Sequence, residues 1–102
     1  MMSATKALEI TMENIHEFYE ESMKVIEENI SPKLNDAIIA SARNLQKEAK
    51  LYLIKGQYRS LILTESKEEY FNMYLKRYIG AQKFKNVKIE STKDYINISF
   101  SW

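Results

Sequence analysis

His16 is the only histidine of the chain, and there is no cysteine. A two-histidine metal site within one chain is therefore excluded, and so are a thiolate site, a thiol nucleophile and a disulfide framework. Glu13 and Glu17 stand four residues apart, with Glu20 and Glu21 following. On a helix such carboxylates share a surface. They read either as a solvated acidic face or as a weak divalent-cation site across an oligomer. His16 lies on the same flank and reads as a solvated histidine or a pH-sensitive contact. Ser60, Ser66, Ser99 and Ser101 have no candidate base nearby in the sequence, so none is set up as a nucleophile. Gly56 and Gly80 are too far apart to form a phosphate loop. The residue types point away from an enzyme, and no metal or cofactor is expected.

Binding is better supplied. Seven Tyr, four Phe and one Trp are many aromatics for 102 residues. Tyrosine and tryptophan bring large contact areas at small entropic cost. Tyr52, Tyr58, Tyr70, Tyr74, Tyr78 and Tyr95 cannot all be central in so small a core, so about two or three should reach the surface. Glu17, Tyr19, Glu20, Tyr70 and Tyr74 are the candidate protein-binding residues. A second set, Lys76, Arg77, Lys83, Lys85 and Lys88, has Tyr78, Phe84 and Tyr95 interleaved and Lys93 beyond. Lysines attract phosphate and an exposed ring can stack a base, so this set is a candidate nucleic-acid surface. Glu90 and Asp94 interrupt it, and lysines that protect an edge strand from aggregation would account for the same residues.

The elements that must position these residues follow from periodicity. Leu8, Met12, Ile15, Tyr19, Met23, Ile26 and Ile30 recur at three- and four-residue spacings. They predict a helix over residues 4–30 that is about 40 Å long, with a seam close to the heptad rhythm. So long a helix needs a partner, either a second helix or another subunit. Met12 and Met23 suit an adaptable surface. Ser31-Pro32 predicts a break and restart. Leu34, Ile38, Ala42, Leu45, Ala49 and Leu53 then predict a second helix to about Lys55, stopped by Gly56. An antiparallel αα-hairpin is the default arrangement and a kinked continuous helix the alternative. Tyr58–Thr64 reads as a short strand. Ser66 and Glu69 form a capping-box pattern opening a third helix, with Lys76 and Arg77 in its last turn and Gly80 at its end. Val87 and Ile89, then Ile96, Ile98, Phe100 and Trp102, alternate with polar residues and predict a closing β-hairpin.

The fold class expected is α+β in the order ααβαββ. A long helical pair (residues 4–55) is followed by a two-layer β-α-β-β unit (57–102), all in one domain. Charge is uneven along it. Residues 1–30 carry two lysines against seven glutamates, while the rest of the chain is basic and the formal net charge is +1. An acidic helix against a basic surface, in the same chain or a neighbour, would guide orientation more than add affinity. No apolar run approaches the roughly 20 residues of a bilayer span, and the N-terminus has no signal-peptide core. No membrane association is expected.

The second half carries a recognisable texture. The strand Tyr58–Thr64 and the helix Ser66–Ile79 lead to Gly80, Phe84-Lys85-Asn86-Val87 and the ending Ile96-Asn97-Ile98-Ser99-Phe100-Ser101-Trp102. Over residues 45–102 this resembles small bacteriophage proteins that close with a Gly-aromatic-x-Val … Ile-x-Ile-Ser-Trp hairpin. The resemblance implies a phage origin and a site in the cytoplasm of the bacterial host or in the virion. It carries no catalytic residue. The reading that results is a small non-enzymatic protein acting by protein–protein contact, as a virion or accessory component or as a factor that binds a host protein. It would form a homo-oligomer through its long helix. The alternative is a nucleic-acid-binding module using the basic C-terminal half.

Overall fold

One helical rod runs the length of the molecule. The computed structural model describes all 102 residues. Helix α1 (Ala4–Val25) passes through a π turn (Ile26–Ile30) directly into α2 (Ser31–Arg43). At about 1.5 Å per residue the rod is about 60 Å long, and the molecule measures 61 × 27 × 22 Å. The radius of gyration is 15.8 Å, against about 13 Å for a compact domain of this length. The helical pair is thus the continuous form and not an antiparallel hairpin. After it come β1 (Glu48–Ile54), a 3-10 turn (Lys55–Tyr58), α3 (Glu65–Ala81), β2 (Lys85–Ser91) and β3 (Tyr95–Ser101). The strands form one antiparallel sheet in the order β1-β3-β2. No helix is long and apolar enough to cross a membrane.

The π turn has a physical reason. Phe18, Ser22, Ile26, Ile30 and Leu34 are all buried, and Ile38 is half-buried. They recur every four residues. In an α-helix each such step overshoots a full circle by about 40°, so five steps would carry the stripe round to solvent. The π turn holds one residue more and takes back part of that rotation. It also opens the carbonyl row ahead of Pro32, whose ring would press on the Glu28 carbonyl in an α turn. The Ser31 N–H reaches back five residues, to the Ile26 carbonyl.

The rod ends earlier than its spacing predicts. Ala49 and Leu53 do continue a four-residue rhythm, but Ala49, Leu51 and Leu53 also alternate with Lys50, Tyr52 and Ile54. Pairing settles the conflict: all seven residues of β1 are in register with β3. The stop is a Schellman motif, with the Leu45 N–H on the Ala42 carbonyl (3.0 Å) and the Gln46 N–H on the Ser41 carbonyl (2.9 Å). Leu45 itself takes the left-handed conformation (φ 61) usually left to glycine. The expected strand at Tyr58–Thr64 is instead a turn and bend that bury Tyr58 and Leu61, because β1 already holds that edge of the sheet. The helix cap also shifts: Thr64, not Ser66, accepts from the Lys67 N–H at 3.1 Å. Helix α3 runs on to Ala81, so Lys76 and Arg77 lie ahead of its last turn.

The rod and α3 pack on one face of the sheet. Ile26 and Ile30, then Phe71, Leu75 and Ile79, then Leu53, Ile96 and Ile98 are fully buried there. Each such side chain contributes roughly 1.5–3 kcal/mol. Phe84, Phe100 and Trp102 close one end, the Phe84 and Phe100 rings lying edge to face at 4.8 Å. The Trp102 N–H donates to the Lys47 carbonyl.

Candidate functional site

From Ala4 to Asn14 every residue of α1 is exposed. Helix α3 begins alongside Phe18, where the Lys67 ammonium lies 5.7 Å from the ring centroid. The N-terminal end of α1 therefore overhangs the body, and from Ile10 onward it faces the start of α3 across a groove. The seam continues along this overhang: Ile15 is half-buried, and Met12 and Leu8 are about three-fifths exposed. By helical spacing Ile15 and Leu8 lie within about 60° of the direction that Phe18 and Ser22 bury further along, and Met12 about 100° from it.

Where the overhang meets α3 there is an open groove of about 470 Å³. Ile10, Ile15 and Phe18 line one side, and Tyr70 and Lys67 the other. Its polar rod residues are turned back on their own helix. The Thr11 hydroxyl donates to the Ala7 carbonyl at 3.0 Å, and the Asn14 amide to the Ile10 carbonyl at 2.8 Å. What remains is apolar surface with an ammonium at one rim.

Tyrosines frame the far end of the groove. Tyr74 is the hub, with Tyr19 edge-on at 5.0 Å, Tyr70 at 6.0 Å and Phe18 at 6.3 Å. Burial, with a smaller push from Tyr70, raises the Tyr74 phenol above its ordinary pKa of 10.0. Only 5% of Tyr74 is exposed. It is a core residue that supports Tyr19 and Tyr70, not a surface contact, because α3 turns it under the rod. Tyr19 and Tyr70 remain accessible. Glu17 and Glu20 lie on the outer flank of α1, where Glu20 pairs with His16 at 3.2 Å. The structure thus brings Tyr19, Tyr70 and Tyr74 together and leaves the two glutamates on another side of the rod. Ile10 and Lys67 were not legible as groove residues. Ile10 falls off the seam, and nothing in the spacing of Lys67 sets it beside α1.

The basic set is dispersed. Lys76 and Arg77 lie on α3, Lys83 sits in the turn after it (φ 72), and Lys85 begins β2 beside a bulge at Asn86. Lys85 and Lys88 pair with Ser101 and Ser99, on the open face of the sheet. These five do not form one surface, because α3 and that open face lie on opposite sides of the sheet. Of the six tyrosines in and beyond β1, Tyr52, Tyr70 and Tyr95 are exposed. Tyr78 donates to the Ser31 hydroxyl at 3.1 Å, and Tyr58 accepts from the Lys33 ammonium at 3.2 Å.

A second cleft of about 460 Å³ lies between α2 and the end of α3, lined mainly by Leu34, Ile38, Tyr78, Ile79, Phe84 and Phe100. No three His, Asp or Glu side chains gather into a metal-binding group. No protein-family model, no curated protein and no solved structure matches this chain.

Proposed function

We propose that this protein works by protein–protein contact through the overhang, and that its first partner is a second copy of itself. One observation carries the reading: ahead of the stripe that is buried from Phe18 onward, Leu8, Met12 and Ile15 form an apolar flank of α1 that the body leaves largely uncovered. Short helices are marginal in water without a packed face. In the assembly, the Leu8–Met12 face of one copy lies in the Ile10–Tyr70 groove of the other. The glutamates of α1 stay on the outer faces, and Tyr19 and Tyr70 supply the aromatic anchors. A phage origin, which the C-terminal hairpin suggests, would make such an assembly a virion or accessory component, or a platform for a host protein. Binding, not catalysis, is the activity proposed.

Sedimentation velocity tests this directly. The wild-type chain should sediment as a dimer or larger at micromolar concentration. Leu8→Glu with Met12→Glu, both at exposed positions, should yield a folded monomer by circular dichroism. Tyr19→Ala with Tyr70→Ala should weaken association at least about tenfold, a typical loss for truncated aromatic anchors. A wild-type chain that stays monomeric would sink the self-association reading.

A further inference from the structure

The sheet has a second face, which no element covers. Across its middle, Ser99 on β3 pairs with Lys50 on β1 and with Lys88 on β2. The next row is Tyr52, Asn97 and Glu90, and the row beyond joins Ile54 to Tyr95. All of these side chains except Ser99 are exposed. Tyr52 is 63% and Tyr95 42% exposed, and their rings meet edge to face at 5.1 Å. Between Tyr52, Asn97 and Glu90 on one side and the lysines on the other is a shallow depression of about 320 Å³.

Lysines on edge strands discourage aggregation, but exposed tyrosines beside them do not serve that end. Two ammonium groups flank one serine, and neither is paired with a carboxylate. They stand on the two edge strands with β3 between them; Lys85 shares their face, with Glu48 in the row on one side and Glu90 in the row on the other. Two large rings are left in water beside them. We infer that this open face binds single-stranded nucleic acid. A phosphate would sit over Ser99 between Lys50 and Lys88, bases would stack on Tyr52 and Tyr95, and Asn97 would meet a base edge.

Charge complementarity selects a polyanion, and the tyrosines select one whose bases are unstacked. Rings lying on a sheet face stack only on bases that are out of a duplex. The spacing also suits a strand: Lys50 and Tyr52 are two residues apart on β1, about 6.8 Å, so phosphate and base contacts alternate along one direction. Glu90 beside Asn97 can accept from a base amino group, and it keeps phosphate to the lysine side. The surface differs from the basic set read from the sequence. It shares Lys88 with that set and takes its remaining members from β1 and β3.

Fluorescence anisotropy with labelled oligothymidylate and oligouridylate of about a dozen nucleotides tests it. Binding should appear at low salt and weaken steeply as salt rises. Tyr52→Ala or Tyr95→Ala should each weaken it by roughly ten- to a hundredfold. Lys50→Gln with Lys88→Gln should flatten the salt dependence by about 0.7 in log–log slope for each phosphate no longer neutralised. Lys76→Gln with Arg77→Gln, on the far side of the sheet, should change neither. All are surface substitutions, and circular dichroism checks that each variant folds. The inference is overturned if neither oligonucleotide binds at low salt. It also fails if the Lys76/Arg77 variant loses as much affinity as the Lys50/Lys88 variant, if the tyrosine variants bind normally, or if duplex is bound as tightly as single strand.

Discussion

The two ends of the rod both carry apolar residues at helical spacings and meet opposite fates. Between Phe18 and Leu34 each fourth residue is buried under α3 or the sheet. Ahead of it Leu8, Met12 and Ile15, at spacings of four and three, stand in water or at the edge of the body. An amphipathic pattern thus states which face wants cover, and tertiary contact decides whether the cover is supplied within the chain. The overhang is the part of the rod for which this chain supplies none.

Substitutions sharpen that contrast. Ile30→Ala, at a fully buried position, should cost roughly 2–5 kcal/mol in urea unfolding. Leu8→Ala should change the stability of the monomer by no more than about 0.5 kcal/mol. Similar losses at both sites, measured where the protein is monomeric, would mean that the overhang is folded back on the body.

A smaller effect is expected at Ser22, the one buried polar residue of the rod. Its hydroxyl has no hydrogen-bond partner. Ser22→Ala removes that unmet group and improves helix propensity, so the variant should be more stable by about 0.5–1 kcal/mol. By thermal unfolding that is a rise of a few degrees. A loss of stability would show that the hydroxyl is satisfied in solution.

The smallest effect at neutral pH belongs to Tyr74, at the boundary between the covered and uncovered parts. Its folded pKa is raised by burial, so the unfolded chain loses the phenolic proton first. The contribution is therefore constant below about pH 10, the ordinary tyrosine value, and stability falls as pH rises above it. Tyr74→Phe should leave neutral-pH stability nearly unchanged and reduce the alkaline loss. Equal alkaline loss in both proteins would place the sensitivity elsewhere.

Much of this architecture is legible in the sequence, and the failures share one cause. The long first helix, the third helix and the closing hairpin follow from strong periodicity, and the ααβαββ order is met with its first strand at Glu48–Ile54 in place of Tyr58–Thr64. The segment Glu48–Ile54 reads wrongly as helix because Ala49 and Leu53 satisfy a helical step while Ala49, Leu51 and Leu53 satisfy a strand step. Only the presence of β3 beside it decides between them. The strand expected at Tyr58–Thr64 fails for the same reason, since its place in the sheet is already taken. Stops mislead too: glycine is the expected signal, yet an exposed leucine, Leu45, adopts the left-handed turn. Tyr19 and Tyr70 are recoverable from helix position. The grouping of Lys50, Tyr52, Lys88 and Tyr95 is not, because it depends on strand register.

The π turn has a consequence for the chain's tolerance of length changes. It holds one residue more than an α turn would, so the rod carries slack at that place. Elsewhere in the rod, removing a residue would swing one end about 100° relative to the other and strand its apolar face. Between Ile26 and Ile30, loss of exposed Glu27 or Glu28 would let the turn relax to ordinary α geometry with both ends still in phase. Pro32 would then be the remaining obstacle, and Pro32→Ala would remove it.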